Sequence, residues 1–266
     1  MKVYKIFGVL VLLLVFSCVT NPITGRKSLQ IMPNSQLNAM ALEQYNQVLS
    51  TTKVITGTAD AKKVENVGER IKKAAERYYR SIGREQDLSS YNWEFHLIDD
   101  KQLNAWCMPG GKVAFYSGIM PVCKDETGVA VVMGHEISHA LAGHGNERIT
   151  SAMIAQGIGI GAGLAMKDEK MRKVFSIAYP LGAQATLLAY SRKQESEADE
   201  MGLYLMAMAG YDPRKAVDFW QRMGDSSGAR KMPEFLATHP NPEHRRADLN
   251  AHMERAMQYY RQYKGR

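Results

Sequence analysis

Residues 135–139 read His-Glu-Ile-Ser-His, and this pentapeptide constrains the chain more than any other stretch. On a helix, side chains four apart lie one above the other, so His135 and His139 share a face and can ligate one metal ion. Glu136, beside the first histidine, is placed to activate a water at that ion. The run from Gly128 to Ala142 is apolar nearly all the way round, which predicts a buried helix. A buried His, Glu and His must be compensated by a metal, by hydrogen bonds or by charge partners. Two structural histidines bonded to backbone carbonyls are the competing reading. The apolar setting favours the metal site, with zinc the expected ion.

Two histidines leave a catalytic zinc short of one protein ligand, with a further position open for water. A metzincin-type third histidine would stand at position 145, which is Gly145. His144 misses that spacing by one residue and reads as structural. The better source is Glu195-Ser196-Glu197-Ala198-Asp199, where Glu195 and Asp199 are four apart on one face and Glu197 points elsewhere. One carboxylate would bind the metal while the next bonds a ligand imidazole. Spacing alone leaves Glu197 and Glu200 open as ligands, and an exposed charged helical turn is the bland alternative.

The start of the chain reads as an export signal over residues 1–17: Lys2 and Lys5, then an apolar core from Ile6 to Phe16. That core is short for a membrane span, and an uncleaved membrane anchor is the alternative reading. Val15-Phe16-Ser17-Cys18 looks like a lipobox, which makes Cys18 the expected lipidation site and the bilayer an expected partner. Val19 follows, with no Asp there to resemble an inner-membrane retention signal, so an outer-membrane anchor facing the periplasm is expected. Residues 18–33 read as a polar tether and residues 34–266 as the catalytic domain. The net charge of +7 is modest, and acids interleave with the basic C-terminal residues, so no nucleic-acid partner is expected. Cys107 and Cys123 remain, either paired or as two buried thiols.

Along the chain, amphipathic patterns predict helices over 34–50 and 59–81, then a strand over 93–99. Residues 104–117 read as strand, Pro-Gly-Gly turn, strand. The motif helix is expected over 124–143, and a small-residue helix over 149–166 is placed to cover the cleft. Its Gly157–Gly163 run lacks a preceding strand and is not a nucleotide loop. A second long helix is expected over 183–209, stopped by Gly210, with another starting at Asp212-Pro213. Residues 233–242 read as a loop before a last helix. The class is α+β: mostly helical, with a small sheet beside the motif helix.

These blocks together resemble a known family. His135-Glu136-x-x-His139, then Glu195-Ser-Glu-Ala-Asp199, then Thr238-His239-Pro240-Asn241-Pro242-Glu243-His244-Arg245, is similar to the HtpX-like zinc metallopeptidases, gluzincins related to the CAAX prenyl proteases. Asn104-Ala-Trp-Cys-Met-Pro-Gly-Gly111 and the lipobox resemble their periplasmic lipoprotein branch. The resemblance covers about residues 30 to 250 and implies a zincin-type domain. It implies His135, His139 and Glu195 as zinc ligands and Glu136 as general base and proton donor. It further implies support from Asp199, His239 near the zinc as a block or an oxyanion partner, and Arg245 tying that segment to Asp199.

The implied chemistry is peptide-bond hydrolysis. The strand at Asn104, Ala105 and Trp106 would bind extended polypeptide by edge pairing, or else is a plain internal strand. Expected substrates are unfolded or misassembled envelope proteins. The competing functions are a chaperone or assembly factor with gated proteolysis, and a structural zinc lipoprotein.

Overall fold

A computed structural model describes residues 18–155, 168–178, 190–225, 234–239 and 242–264. The chain opens with an antiparallel hairpin, β1 (Cys18–Thr20) and β2 (Lys27–Leu29), followed by α1 (Asn34–Thr51), β3 (Val54–Ile55) and α2 (Ala59–Ser81). Next come β4 (Glu94–Ile98), β5 (Ala105–Met108), β6 (Lys112–Tyr116), the short α3 (Met120–Cys123) and α4 (Glu126–Leu141). The remainder is helical: α5 (His144–Ala155), α6 (Asp168–Ala178), α7 (Arg192–Met208), α8 (Lys215–Asp225), α9 (Glu234–Thr238) and α10 (Pro242–Tyr263). The fold is the mostly helical α+β class that the sequence predicts. Among the described residues, no helix is long and apolar enough to cross a membrane.

The four-stranded sheet runs β3-β4-β6-β5, with β4 and β6 parallel and the other pairs antiparallel. Every residue of β6 is buried, so this strand is covered on both faces. Even Lys112 is enclosed, its Nζ donating to Glu94 Oε1 at 2.6 Å. The β5–β6 turn closes with Gly111 N donating to Met108 O at 3.2 Å. Pro109 followed by Gly110 at φ +79° is the type II signature.

The motif helix α4 forms the centre of the core, packed on β5, α2 and α7. Residues 128–139 are all buried, as an all-round apolar helix requires. It starts later than predicted. Lys124 adopts φ +67°, which ends α3, and Asp125 then caps α4 by accepting from Gly128 N at 3.0 Å. Such a cap contributes about 1 kcal/mol.

Two glycines set how closely α4 meets α7. A Cβ on Gly134 would lie 2.8 Å from Gly202 O, and one on Gly202 would lie 2.8 Å from His135 N. Only bare backbone fits there, and the close crossing places the 135–139 face against the 195–199 face. α7 itself starts at Arg192, where Ser191 and Gln194 form a capping box.

Residues 18–33, expected as a polar tether, pack on the domain instead. Ile23, Ile31 and Met32 are buried. Asn146 grips the backbone of Met32 from both sides, donating to its O at 2.8 Å and accepting from its N at 3.1 Å. Gly25 at φ +76° turns the chain back into the hairpin. Too few apolar residues, without strand or helix period, mark this segment in the sequence. Cys107 and Cys123 are buried free thiols. The expected signal segment, the Gly157–Gly163 run and the predicted start of the second long helix lie outside the described residues.

Candidate metal centre

His135, His139, Glu195 and His239 converge, each offering a ligand atom within 4.8 Å of all the others. All four are buried. His139 Nε2 lies 3.1 Å from His135 Nε2, which lies 3.2 Å from His239 Nδ1. Glu195 Oε1 lies 2.9 Å from His239 Nδ1 and 3.5 Å from His139 Nε2, and Oε2 lies 3.5 Å from His135 Nε2.

Zinc–nitrogen bonds of about 2.0–2.1 Å in a tetrahedron separate the ligand atoms by about 3.3 Å. The observed spacings match that cage. Ring nitrogens facing one another across 3.1–3.2 Å are also spaced as ligands that share one cation. Imidazole and carboxylate are the donor types that zinc takes. The residues therefore fit zinc, the cofactor of this site.

Behind each helix histidine stands a carboxylate. Asp199 Oδ1 faces His135 Nδ1 at 2.9 Å, leaving Nε2 to point into the centre. His139 is held through an intermediary. Its Nδ1 lies 2.8 Å from His144 Nδ1, and His144 Nε2 lies 2.8 Å from Glu197 Oε2. An ionised carboxylate only accepts, so His144 carries its proton on Nε2 and uses Nδ1 to accept from His139. His139 Nε2 is left with its lone pair turned inward.

Charge follows burial and neighbours. Burial pushes the Glu195 carboxyl up, but His239 and His135 outweigh it and hold the group well below the usual carboxylate range. Burial lowers His139 well below an ordinary imidazole, with His135 adding to the effect, so it is neutral as a ligand must be. Burial likewise lowers His144, against the pull of Glu197. For His135 burial acts downward, yet Asp199 and Glu195 lift it to about 9, and a cation bound there releases that proton.

Glu136 is buried on α4 beside the cluster. Its Oε1 has no hydrogen-bond partner among the described residues and lies 3.6 Å from His239 Nε2. Burial raises its carboxyl above the usual range, against the opposing pull of His239 and His135. Arg245, fully buried, pairs with Glu195 Oε2 through Nη2 and with Asp199 Oδ2 through Nε at 2.7 Å. Its guanidinium lies 3.7 Å over the Trp220 ring.

Other predicted residues sit apart from this cluster. β5 is an outer strand, and among the described residues no strand pairs with its far side. Asn104 and Ala105 are buried, with Asn104 Oδ1 accepting from Ala105 N at 2.9 Å. Trp106 is half-buried and donates to Tyr116 Oη at 3.3 Å. Cys18 is exposed at the start of the hairpin. Sequence reasoning missed the work of His144 and Glu197, and it missed Tyr190, whose ring stacks on His139 at 3.9 Å. Glycine before His144 was the available signal: Gly143 at φ +69° turns α5 back towards α4.

Comparison with known proteins agrees with this geometry. The model of peptidase family M48 matches residues 62–253. Mitochondrial metalloendopeptidase OMA1 of Schizosaccharomyces pombe is 38% identical over 159 residues, 59% of this chain and 46% of that protein. The protein of the same name from Saccharomyces cerevisiae is 29% identical over 208 residues, 75% of this chain and 58% of its own. A putative beta-barrel assembly-enhancing protease of Vibrio cholerae is 33% identical over 193 residues, 68% of this chain and 38% of that protein. The chain thus spans roughly two-fifths to three-fifths of these relatives. With most of its length matched by the family model and the cluster of His135, His139 and Glu195 in place, the chain belongs to peptidase family M48.

Proposed function

We propose that this chain is a zinc metalloendopeptidase that cleaves unfolded or misassembled envelope proteins while anchored by a lipidated Cys18. One observation carries the catalytic reading: a buried Glu136 oxygen without a hydrogen-bond partner among the described residues, beside a cluster of metal-type donors. A buried carboxylate oxygen without a hydrogen bond is costly in a merely structural role, and a reacting water would supply that bond.

His135, His139 and Glu195 hold the zinc, and Asp199 and His144 keep the two imidazoles in the ligating tautomer. Zinc bound there supplies a Lewis acid for the scissile carbonyl and brings the pKa of a water towards neutrality. Glu136 takes the proton of the attacking water and returns it to the leaving amine. The outer strand β5, packed against α4, offers backbone to an extended polypeptide, which a folded strand could not match. The name of the Vibrio relative supports a bacterial envelope location, and the proposed lipid anchor would hold the chain at the outer membrane facing the periplasm.

The full chain in detergent, incubated with casein with and without a chelator, tests the peptidase; Glu136→Gln with measured zinc content is the control. Chelator-sensitive cleavage that is lost in the zinc-replete variant is expected. Absence of cleavage by both the zinc-loaded parent and the zinc-loaded His239→Ala variant would overturn the reading. Anchorage is tested separately: Cys18→Ser is expected to leave the membrane fraction.

His239 favours a second reading, a client-holding factor with gated proteolysis. Its Nδ1 takes a fourth donor position, and four protein ligands make a closed site. Client capture undiminished by Glu136→Gln would support it.

A further inference from the structure

The support behind His139 does not end at Glu197. That side chain is 3% exposed, and both its oxygens are engaged. Oε2 is shared by His144 Nε2 and Arg26 Nε. Oε1 accepts from Asn21 Nδ2 at 2.8 Å and from the Thr24 hydroxyl. Among the described residues, every hydrogen bond to the Glu197 carboxylate other than that of His144 comes from residues 21–26, the turn of the N-terminal hairpin. Arg26 is fixed in turn, donating from Nη1 and Nη2 to the two oxygens of Glu147 at 2.9 Å each. Gln194 Nε2, from the first turn of α7, donates to the same Glu147 at 2.9 Å.

We propose that Arg26 is a positioning residue for the metal centre, acting through Glu197 and His144 on His139. A glutamate has three rotatable side-chain bonds, and its carboxylate aims at His144 only while something holds it from the other side. The planar guanidinium does this with a fork: one edge grips Glu147 bidentately, and Nε presents a donor to Glu197. The hairpin thereby sets the angle of Glu197, Glu197 sets the ring of His144, and His144 sets the ring and tautomer of His139. The N-terminal segment is a working part of the site.

This inference rests on His139 being a zinc ligand. The test measures zinc affinity of the full chain in detergent by competition with a chelator of known affinity. Parent, Arg26→Gln, Glu197→Gln and the double variant are compared, and the visible absorption of each cobalt(II)-loaded protein is recorded. Outer partners of metal ligands change affinity by about 10–100-fold, so Arg26→Gln is expected to weaken zinc binding by about tenfold and to shift the cobalt bands. The double variant is expected to bind no more weakly than Glu197→Gln alone, because the coupled pair acts as one unit. An unmoved affinity and spectrum in Arg26→Gln would overturn the proposal, whatever happens to thermal stability. So would losses that add in the double variant. Should Arg26→Gln fail to fold, Arg26→Lys replaces it in the same cycle, since it keeps the charge and loses the fork. Parent protein that binds no zinc would instead overturn the metal reading itself.

Discussion

His239 Nδ1 lies 2.9 Å from Glu195 Oε1, which places a loop histidine inside the donor set of two helices. The loop is pinned where it leaves α9, with His239 N donating to Phe235 O at 2.9 Å, and its ring stacks on Phe235. A fourth protein donor competes with substrate for the one position a catalytic site keeps open. His239→Ala is therefore expected to retain one zinc per chain and to cleave casein about tenfold faster, as removal of a competing resting state does. Zinc content and initial rates check this. A fall in rate at constant zinc would show instead that His239 acts on the reacting groups.

What the sequence revealed of this centre follows helical geometry. His135, His139, Glu195 and Asp199 are pairs at four-residue spacing, and that spacing survives whatever the rest of the fold does. His239 and Arg245 had no local signal and were expected only through resemblance to a family. His144 and Glu197 were passed over because their roles depend on a long-range meeting. Gly143 must turn α5 back so that His144 reaches His139, and α7 must cross α4 closely enough for Glu197 to meet His144. The hairpin was missed for a related reason. Asn21, Thr24 and Arg26 are polar and turn-like in sequence, and only a buried carboxylate arriving from α7 makes them structural.

Glu136 Oε1 has no hydrogen-bond partner among the described residues, and Glu136 lies next to His135 without being among the four converging donors. Glu136→Gln is accordingly expected to fold and bind zinc like the parent. Loss of a general base costs about 10²–10⁴-fold, and that fall should be seen in kcat with little change in KM. Equal losses of zinc and rate would argue that the residue holds the metal.

The close contact of Gly134 with Gly202 makes the centre sensitive to one methyl group. Gly202→Ala would set its Cβ 2.8 Å from His135 N and 3.0 Å from Gly134 C, both rigid backbone. Overpacking of this kind costs about 1–3 kcal/mol, and here the strain is relieved only by moving α7 away from α4. Thermal unfolding should shift down, and zinc affinity should fall with it because Glu195 and Asp199 ride on α7. Gly224→Ala, in α8 where a Cβ meets nothing within 4 Å, is the matched control and should leave zinc affinity unchanged without lowering thermal stability.

Arg245 is the buried cation against which Glu195 and Asp199 are both balanced, and it also covers the face of Trp220. Removing one partner of a buried ion pair strands the other, at about 3–5 kcal/mol. Arg245→Ala is expected to lose stability of that order in denaturant titration of the zinc-free protein, and Arg245→Lys to recover part of it. Lysine restores the charge but not the two-sided fork. A variant as stable as the parent would mean that water enters and solvates the two carboxylates.

Burial pushes the Cys107 and Cys123 thiols well above their ordinary range, so neither forms appreciable thiolate at neutral pH. The thiolate is the reactive form, and its fraction falls tenfold for each unit that the pKa rises. Cys107 and Cys123 are therefore expected to resist alkylation in the folded protein, and both should be modified rapidly once denaturant unfolds the chain. Mass spectrometry after timed labelling reads this directly. The sign of the pH effect is fixed: raising the pH speeds modification of the native protein only as it approaches the elevated pKa values. Fast labelling of Cys107 at neutral pH would show β5 opening away from α4, because that strand carries Cys107 into the core beside the motif helix.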